Sequence, residues 1–204
     1  FRGGIKTIVY TDTLQTLSML MAVILTILGI GQALETDISG LAEMVSNSNY
    51  SQVFFFEGGW SDPYNFWKQF LAGALITIVM TGLDQDMMQK NLSCKSLGDA
   101  QKNMFTFSIV LFFANILFLS LGALLYIYAM QVGIDIPAST DKLYPMIALQ
   151  HLSPYIGILF IIGLIAAAYS SADSALTALT TSFCVDFLGF GKKTEEEDIQ
   201  NAQK

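Results

Sequence analysis

The sequence predicts an all-α, polytopic membrane protein with four membrane-crossing helices. Two observations carry this reading. Of 204 residues, 53% are hydrophobic and only 13% are charged, against roughly 25% charged in soluble domains. Four apolar stretches, at about 5–34, 64–92, 98–131 and 154–190, each exceed the roughly 20 residues that a bilayer crossing needs.

The first stretch is apolar except for a notch at Asp12 and Gln15. The long polar link after it, Glu35 to Asp62, holds a short surface helix near Ile38–Val45. The second stretch starts behind Asp62-Pro63, a plausible helix opening. Its Thr81-Gly82 step, followed by Asp84, Gln85 and Asp86, predicts a loosened or broken helix of the kind that lines cavities. The polar end reads as cytoplasmic, with Asp84 paired to Lys90. The third stretch is rich in Phe and Leu, with Asn115 and Ser120 inside it, and reads as scaffold. The link from Val132 to Leu152 carries a second short amphipathic helix after Asp141. The fourth stretch holds the densest polar cluster.

Lysine and arginine set the orientation. Arg2 and Lys6 precede the first stretch, Lys90, Lys95 and Lys102 surround the middle link, and Lys192 and Lys193 follow the fourth. Both chain ends and the middle link are therefore expected on the cytoplasmic side of the cell inner (plasma) membrane, in contact with the lipid bilayer. The net charge of −7 comes from acids in the links and in Glu195–Asp198. No basic stripe exists, so nucleic acid is not an expected partner. Cys94 and Cys184 have no ligand-spaced partner, which argues against zinc, and their cytoplasmic placement argues against a disulfide. His151 is alone and reads as solvent-facing or satisfied. No motif joins a nucleophile to a base, so no enzyme is expected. The opening Phe1-Arg2-Gly3-Gly4 reads as the start of an internal fragment. Residues 1–190 would form a partial transporter core and 191–204 a polar cytoplasmic tail or loop.

Ser170, Ser174, Thr177 and Thr181 recur at i, i+4, i+7 and i+11, which places them on one helical face. Ser171 flanks them. Hydroxyls of Ser170 and Ser171 with the Ala167 carbonyl suit part of a sodium shell. The same hydroxyls also suit bonding back to the carbonyl four residues earlier, or tight helix packing. Asp173 favours a functional use, because a charge at mid-membrane costs roughly 2.5–3.5 kcal/mol and a neutral packing face has no need of it. Asp12 reads either as an interface acid paired with Lys6 or Arg2, or as part of a polar notch widened by Gln15.

Taken together, these residues resemble the sodium:solute symporter family. The Gly3-Gly4 to Gln15 segment, with Tyr10-Thr-Asp12, is similar to its fifth core helix. Gly82-Leu-Asp-Gln85 through Lys90, then Cys94-Lys-Ser, is similar to the end of its sixth helix. Ala166-Ala-Ala-Tyr-Ser-Ser-Ala-Asp-Ser, with Asp186 beyond it, is similar to its eighth. The resemblance implies a LeuT-like fold of inverted repeats, of which core helices five to eight are present. It implies sodium-driven import of a small polar or anionic solute by alternating access. Na⁺ would be the co-transported ion, and helices outside this chain would complete its site. The principal sodium positions map to Ala167, Ser170 and Ser171. A second sodium site, present in some members, maps to Ser174 and Asp12, with Asp173 where those members can have a hydroxyl. Solute positions map to Thr77, Met80 and Thr81. Sugar carriers have Asn and Tyr where Thr77 and Met80 stand, which argues against a hexose. A symporter-like sensor module of a signalling protein is the alternative.

Overall fold

The computed structural model describes residues 4–188, so the segment 191–204 lies outside the described residues. Four helices are long: α1 (Gly4–Ala33), α3 (Phe66–Leu83), α5 (Leu97–Val132) and α7 (Pro154–Ser182). Three are short: α2 (Ile38–Ser46), α4 (Gln85–Leu92) and α6 (Leu143–Met146). There is no strand among the described residues. The segments long and apolar enough to cross a membrane are Val9–Ala33, Phe66–Leu83, Leu97–Val132 and Pro154–Val185. They fall within or close to the four stretches that hydropathy marks out. Both expected link helices form, as α2 and as the α6 turn that continues into Ile147–His151.

Local chemistry sets most boundaries. α3 begins at Phe66 rather than Tyr64, because Asn65 caps it: the Asn65 side chain accepts from the Trp67 amide at 3.1 Å. Asp62 caps only the preceding turn, accepting from the Tyr64 amide at 2.9 Å. α5 opens on a reciprocal cap in which Ser96 Oγ accepts from the Asp99 amide at 3.2 Å and donates to the Asp99 carboxylate at 2.8 Å. It closes at Gly133, whose φ of +74° is the left-handed helix stop that glycine adopts without strain. α7 opens with Pro154 behind Ser153, where the missing proline amide costs nothing.

The second stretch does break, two residues beyond Gly82. Asp84 alone leaves helical geometry (φ −73°, ψ 119°). Its carboxylate then accepts from the Met87 amide at 2.9 Å, starting α4. One residue thus ends α3 and caps its successor. α3 itself has no buried residue, whereas α4 packs against both α7 and α5.

The main seam of the molecule is α1 against α7. Gly29 faces Ile156, Ala22 faces Gly163 and Asp12 faces Ser170. Numbers that fall along α1 as they rise along α7 make the pair antiparallel. A Cβ at Gly163 would lie 2.8 Å from the Ala22 Cβ, so glycine is what permits the close approach. The buried core sits at the end of the bundle that holds α2 and α6. There Val23 and Ile30 of α1 meet Leu121, Leu124 and Leu125 of α5, with Leu41, Leu143 and Ile147 from the links.

Tyr144 of α6 pins this end. Its hydroxyl lies 2.9 Å from Oγ1 of fully buried Thr26, which also donates to the Ala22 carbonyl at 2.7 Å. Its ring meets Phe160 edge-on at 4.6 Å. Burial raises the Tyr144 pKa above the ordinary tyrosine value, and the Thr26 bond offsets part of the rise. A raised folded-state pKa means that the contribution to stability is intact below the unfolded value near 10 and is lost as pH climbs through the folded one. Tyr144→Phe is expected to cost about 1 kcal/mol, seen as a lower melting temperature in detergent, and to remove part of the alkaline destabilisation.

Candidate functional site

At the opposite end the α1–α7 seam turns polar. On α7, Ala167, Ser170, Asp173, Ser174, Thr177 and Thr181 are all partly buried, while Ser171 and Ala172 are exposed. The inward face is thus the one that the hydroxyl spacing predicts. On α1 the corresponding partly buried positions are Thr11, Asp12, Gln15 and Ser18. The two rows meet at Asp12 and Ser170.

Asp12 is the centre of the contacts. Lys90 of α4 donates to its Oδ2 at 2.7 Å, with the two side chains 26% and 18% exposed. Ser170 Oγ approaches the other oxygen, Oδ1, at 3.5 Å, the edge of hydrogen-bond range. One turn along α1, the Gln15 side-chain oxygen is buried and accepts no hydrogen bond among the described residues. An orphaned acceptor of that kind costs about 1–3 kcal/mol, and a cation would satisfy it. No hydrogen bond or ion pair of the Asp173 carboxylate occurs among the described residues; its backbone carbonyl accepts from Thr177 Oγ1 at 2.8 Å. With Lys90 on Asp12, Asp173 is a carboxylate without an ion-pair partner among the described residues.

Ser171 belongs to a neighbouring group. Its hydroxyl turns back to the Ala167 carbonyl at 3.2 Å, the back-bonding that serine favours in membrane helices. Two oxygens that close can touch one ion, and the Ser171 side lies open rather than against α1. The five sodium candidates therefore form two adjoining groups. Asp12 and Ser170 meet across the seam, and Ala167 and Ser171 meet on α7. Ser174 lies on the seam face one turn beyond Ser170.

The solute candidates stand apart. Thr77 is exposed and donates to the Gly73 carbonyl at 2.8 Å. Met80 is 61% exposed, and Thr81 is partly buried. Among the described residues, no hydrogen bond or ion pair joins the three to α1 or α7.

One expectation about charge pairing changes. Lys90 reaches Asp12 and not Asp84, because the Asp84 carboxylate is turned toward the start of α4 while α4 lies against α7. Asp12 takes its cation from Lys90, 78 positions away. The side chains of Arg2 and Lys6 lie outside the described residues. Sequence reasoning missed Lys90 as a site residue and noted Gln15 only as a neighbour. Gln15 was within reach of the pattern, standing one turn from Asp12 on the same face, whereas the partner of Lys90 follows only from the break at Asp84.

The chain is 25% identical to sodium-coupled monocarboxylate transporter 2 of Danio rerio over 91% of its length and 30% of the relative's. It is 24% identical to the sodium/sialic acid symporter SiaT of Proteus mirabilis, covering 90% of the chain and 38% of the relative. A sodium/sialic acid symporter of Aliivibrio fischeri, NanT, is also 24% identical, over 91% of the chain and 37% of the relative. The chain thus spans about a third of the length of these curated relatives. No solved structure matches it significantly. The model of the sodium:solute symporter family matches residues 1–203, and the chain belongs to that family.

Proposed function

We propose that the protein containing this chain is a sodium-coupled carrier of the plasma membrane that imports a small anionic solute by alternating access. The observation that carries the proposal is the meeting of Asp12 with Ser170 across the α1–α7 seam, beside the orphaned oxygen of Gln15. A sodium ion wants several oxygens in place of its water. The seam offers a carboxylate, hydroxyls of Ser170 and Ser174 and the Gln15 carbonyl. Ala167 and Ser171 offer a carbonyl and a hydroxyl alongside. Ser170 borders both groups, which suits two neighbouring ions. Helices beyond this chain, arranged as in a LeuT-like fold, would supply the remaining ligands of the Ala167–Ser171 site.

Sodium entering down a membrane potential releases about 2.3 kcal/mol per 100 mV. The ion drives the cycle only by binding the two states unequally. Binding at Ala167, Ser170 and Ser171 would fasten α7 to a helix outside this chain and favour the outward-open state. Asp12 would receive the ion on its way to the cytoplasm. Its end of the bundle is the one where Lys90, Lys95 and Lys102 gather, which supports a cytoplasmic placement for it.

The relatives' named solutes, monocarboxylates and sialic acid, are both acids, so a carboxylate is the proposed solute class. Thr77, Met80 and Thr81, near the break of the second stretch, would line its path. The test is uptake of labelled monocarboxylates, sialic acid and hexose into liposomes containing the full-length protein. Carboxylate uptake that needs an inward sodium gradient and fails with choline is expected. Uptake of every solute without regard to sodium would sink the proposal.

A further inference from the structure

Lys90 supplies no ligand oxygen to the ion site described above, yet it makes a short contact there. Its ammonium lies 2.7 Å from Asp12 Oδ2, where an inorganic cation bound to that carboxylate would sit. Ser170 holds the other oxygen. The pair is only partly exposed, so it is less screened than a surface ion pair and more consequential.

The placement of Lys90 gives the contact a reach beyond charge balance. Lys90 sits in the last turn of α4. α4 joins α3 through the single extended residue Asp84 and also packs against α7 and α5, where Asn91 bonds Met104 and Asn103. The Lys90–Asp12 pair is thus a tie between α1 and the arm that carries Thr77, Met80 and Thr81.

We propose that Lys90 is a tethered stand-in for sodium: it occupies Asp12 when the ion is absent, sodium displaces it, and its release removes the tie between α1 and the α3–α4 arm. The proposal rests on the reading of Asp12 as an ion ligand. It adds a competitor built into the chain and a physical route from ion to solute site. The carboxylate carries one charge, so an ammonium on Oδ2 weakens its attraction for a sodium ion, and sodium binding must work against Lys90. Its apparent affinity is lowered by the fraction of time the lysine holds the site. The same occupancy neutralises Asp12 during the return step, when no ion is bound.

The test is equilibrium binding of radioactive sodium to the full-length protein, with Lys90→Gln, Lys90→Arg and Asp12→Asn compared with the parent. Lys90→Gln is expected to lower the half-saturating sodium concentration about three- to tenfold, and Lys90→Arg to leave it near the parent value. Lys90→Cys should bind like Lys90→Gln, and attaching an aminoethyl group to that cysteine should restore parental binding. This chemical rescue also covers the case in which Lys90→Gln fails to fold. An unchanged or raised half-saturation in Lys90→Gln, or in Lys90→Cys without rescue, overturns the competitor. Asp12→Asn separates the two readings. If it leaves sodium binding unaltered, the ion site itself is misassigned. If it weakens binding while Lys90→Gln has no effect, only the competitor fails.

Discussion

Ser171→Ala is expected to raise the sodium concentration needed for half-maximal uptake about tenfold, with the protein still inserted in the membrane. The substitution removes one oxygen from the sodium shell proposed with the Ala167 carbonyl, 3.2 Å away. An interaction between a neutral oxygen and a charged partner is worth about 1.5–3 kcal/mol, and about 1.4 kcal/mol is a factor of ten in affinity. Stability should change little, because Ser171 is exposed and its hydroxyl bonds only back along its own helix. A structural role would give the opposite pattern: less protein in the membrane and an unchanged sodium dependence. Titrating uptake against sodium at fixed potential, normalised to surface protein, distinguishes the two.

Asp12→Asn should act mainly on turnover. On the proposed function the carboxylate would supply the charge that draws the ion across the seam, and asparagine keeps the shape without it. A fall in turnover of about tenfold is expected, with the solute concentration for half-maximal uptake changed by less than about threefold. These values correspond to roughly 1.4 kcal/mol of lost stabilisation along the ion path and little at the solute site. The variant also strips Lys90 of its partner. Pairing Asp12→Asn with Lys90→Gln corrects for that loss, since the neutral pair no longer contains an uncompensated cation. If the double variant regains expression but not turnover, the loss belongs to the ion and not to the fold.

The four spans were legible because a bilayer leaves a chain few options. Backbone groups must be satisfied within each crossing, so apolar length alone marks the helices. Period-3.6 spacing likewise placed Ser170, Ser174, Thr177 and Thr181 on one face, and that face is the inward one. The break of the second stretch was legible from Thr81-Gly82 and its polar sequel, although Asp84 is the residue that leaves the helix.

What the sequence hid is long-range pairing. Nothing in the sequence near Lys90 points to Asp12, which lies 78 positions away. Only the turn at Asp84 and the packing of α4 on α7 redirect the lysine. The division of the sodium candidates into a seam group and an Ala167–Ser171 group was hidden for a similar reason. Adjacent residues on a helix differ by about 100°, so Ser170 faces α1 while Ser171 turns away, and only the position of α1 decides which is covered.

The α1–α7 polar face as a sodium site is tested most directly by equilibrium binding of radioactive sodium to the purified full-length protein and to its Ser170→Ala, Ser171→Ala double variant. Ser170 borders both oxygen groups and Ser171 completes one of them. Saturable binding to the parent, and its loss in a double variant that keeps the parental melting temperature, is the expected result. A folded double variant that binds sodium with parental affinity and capacity would contradict it.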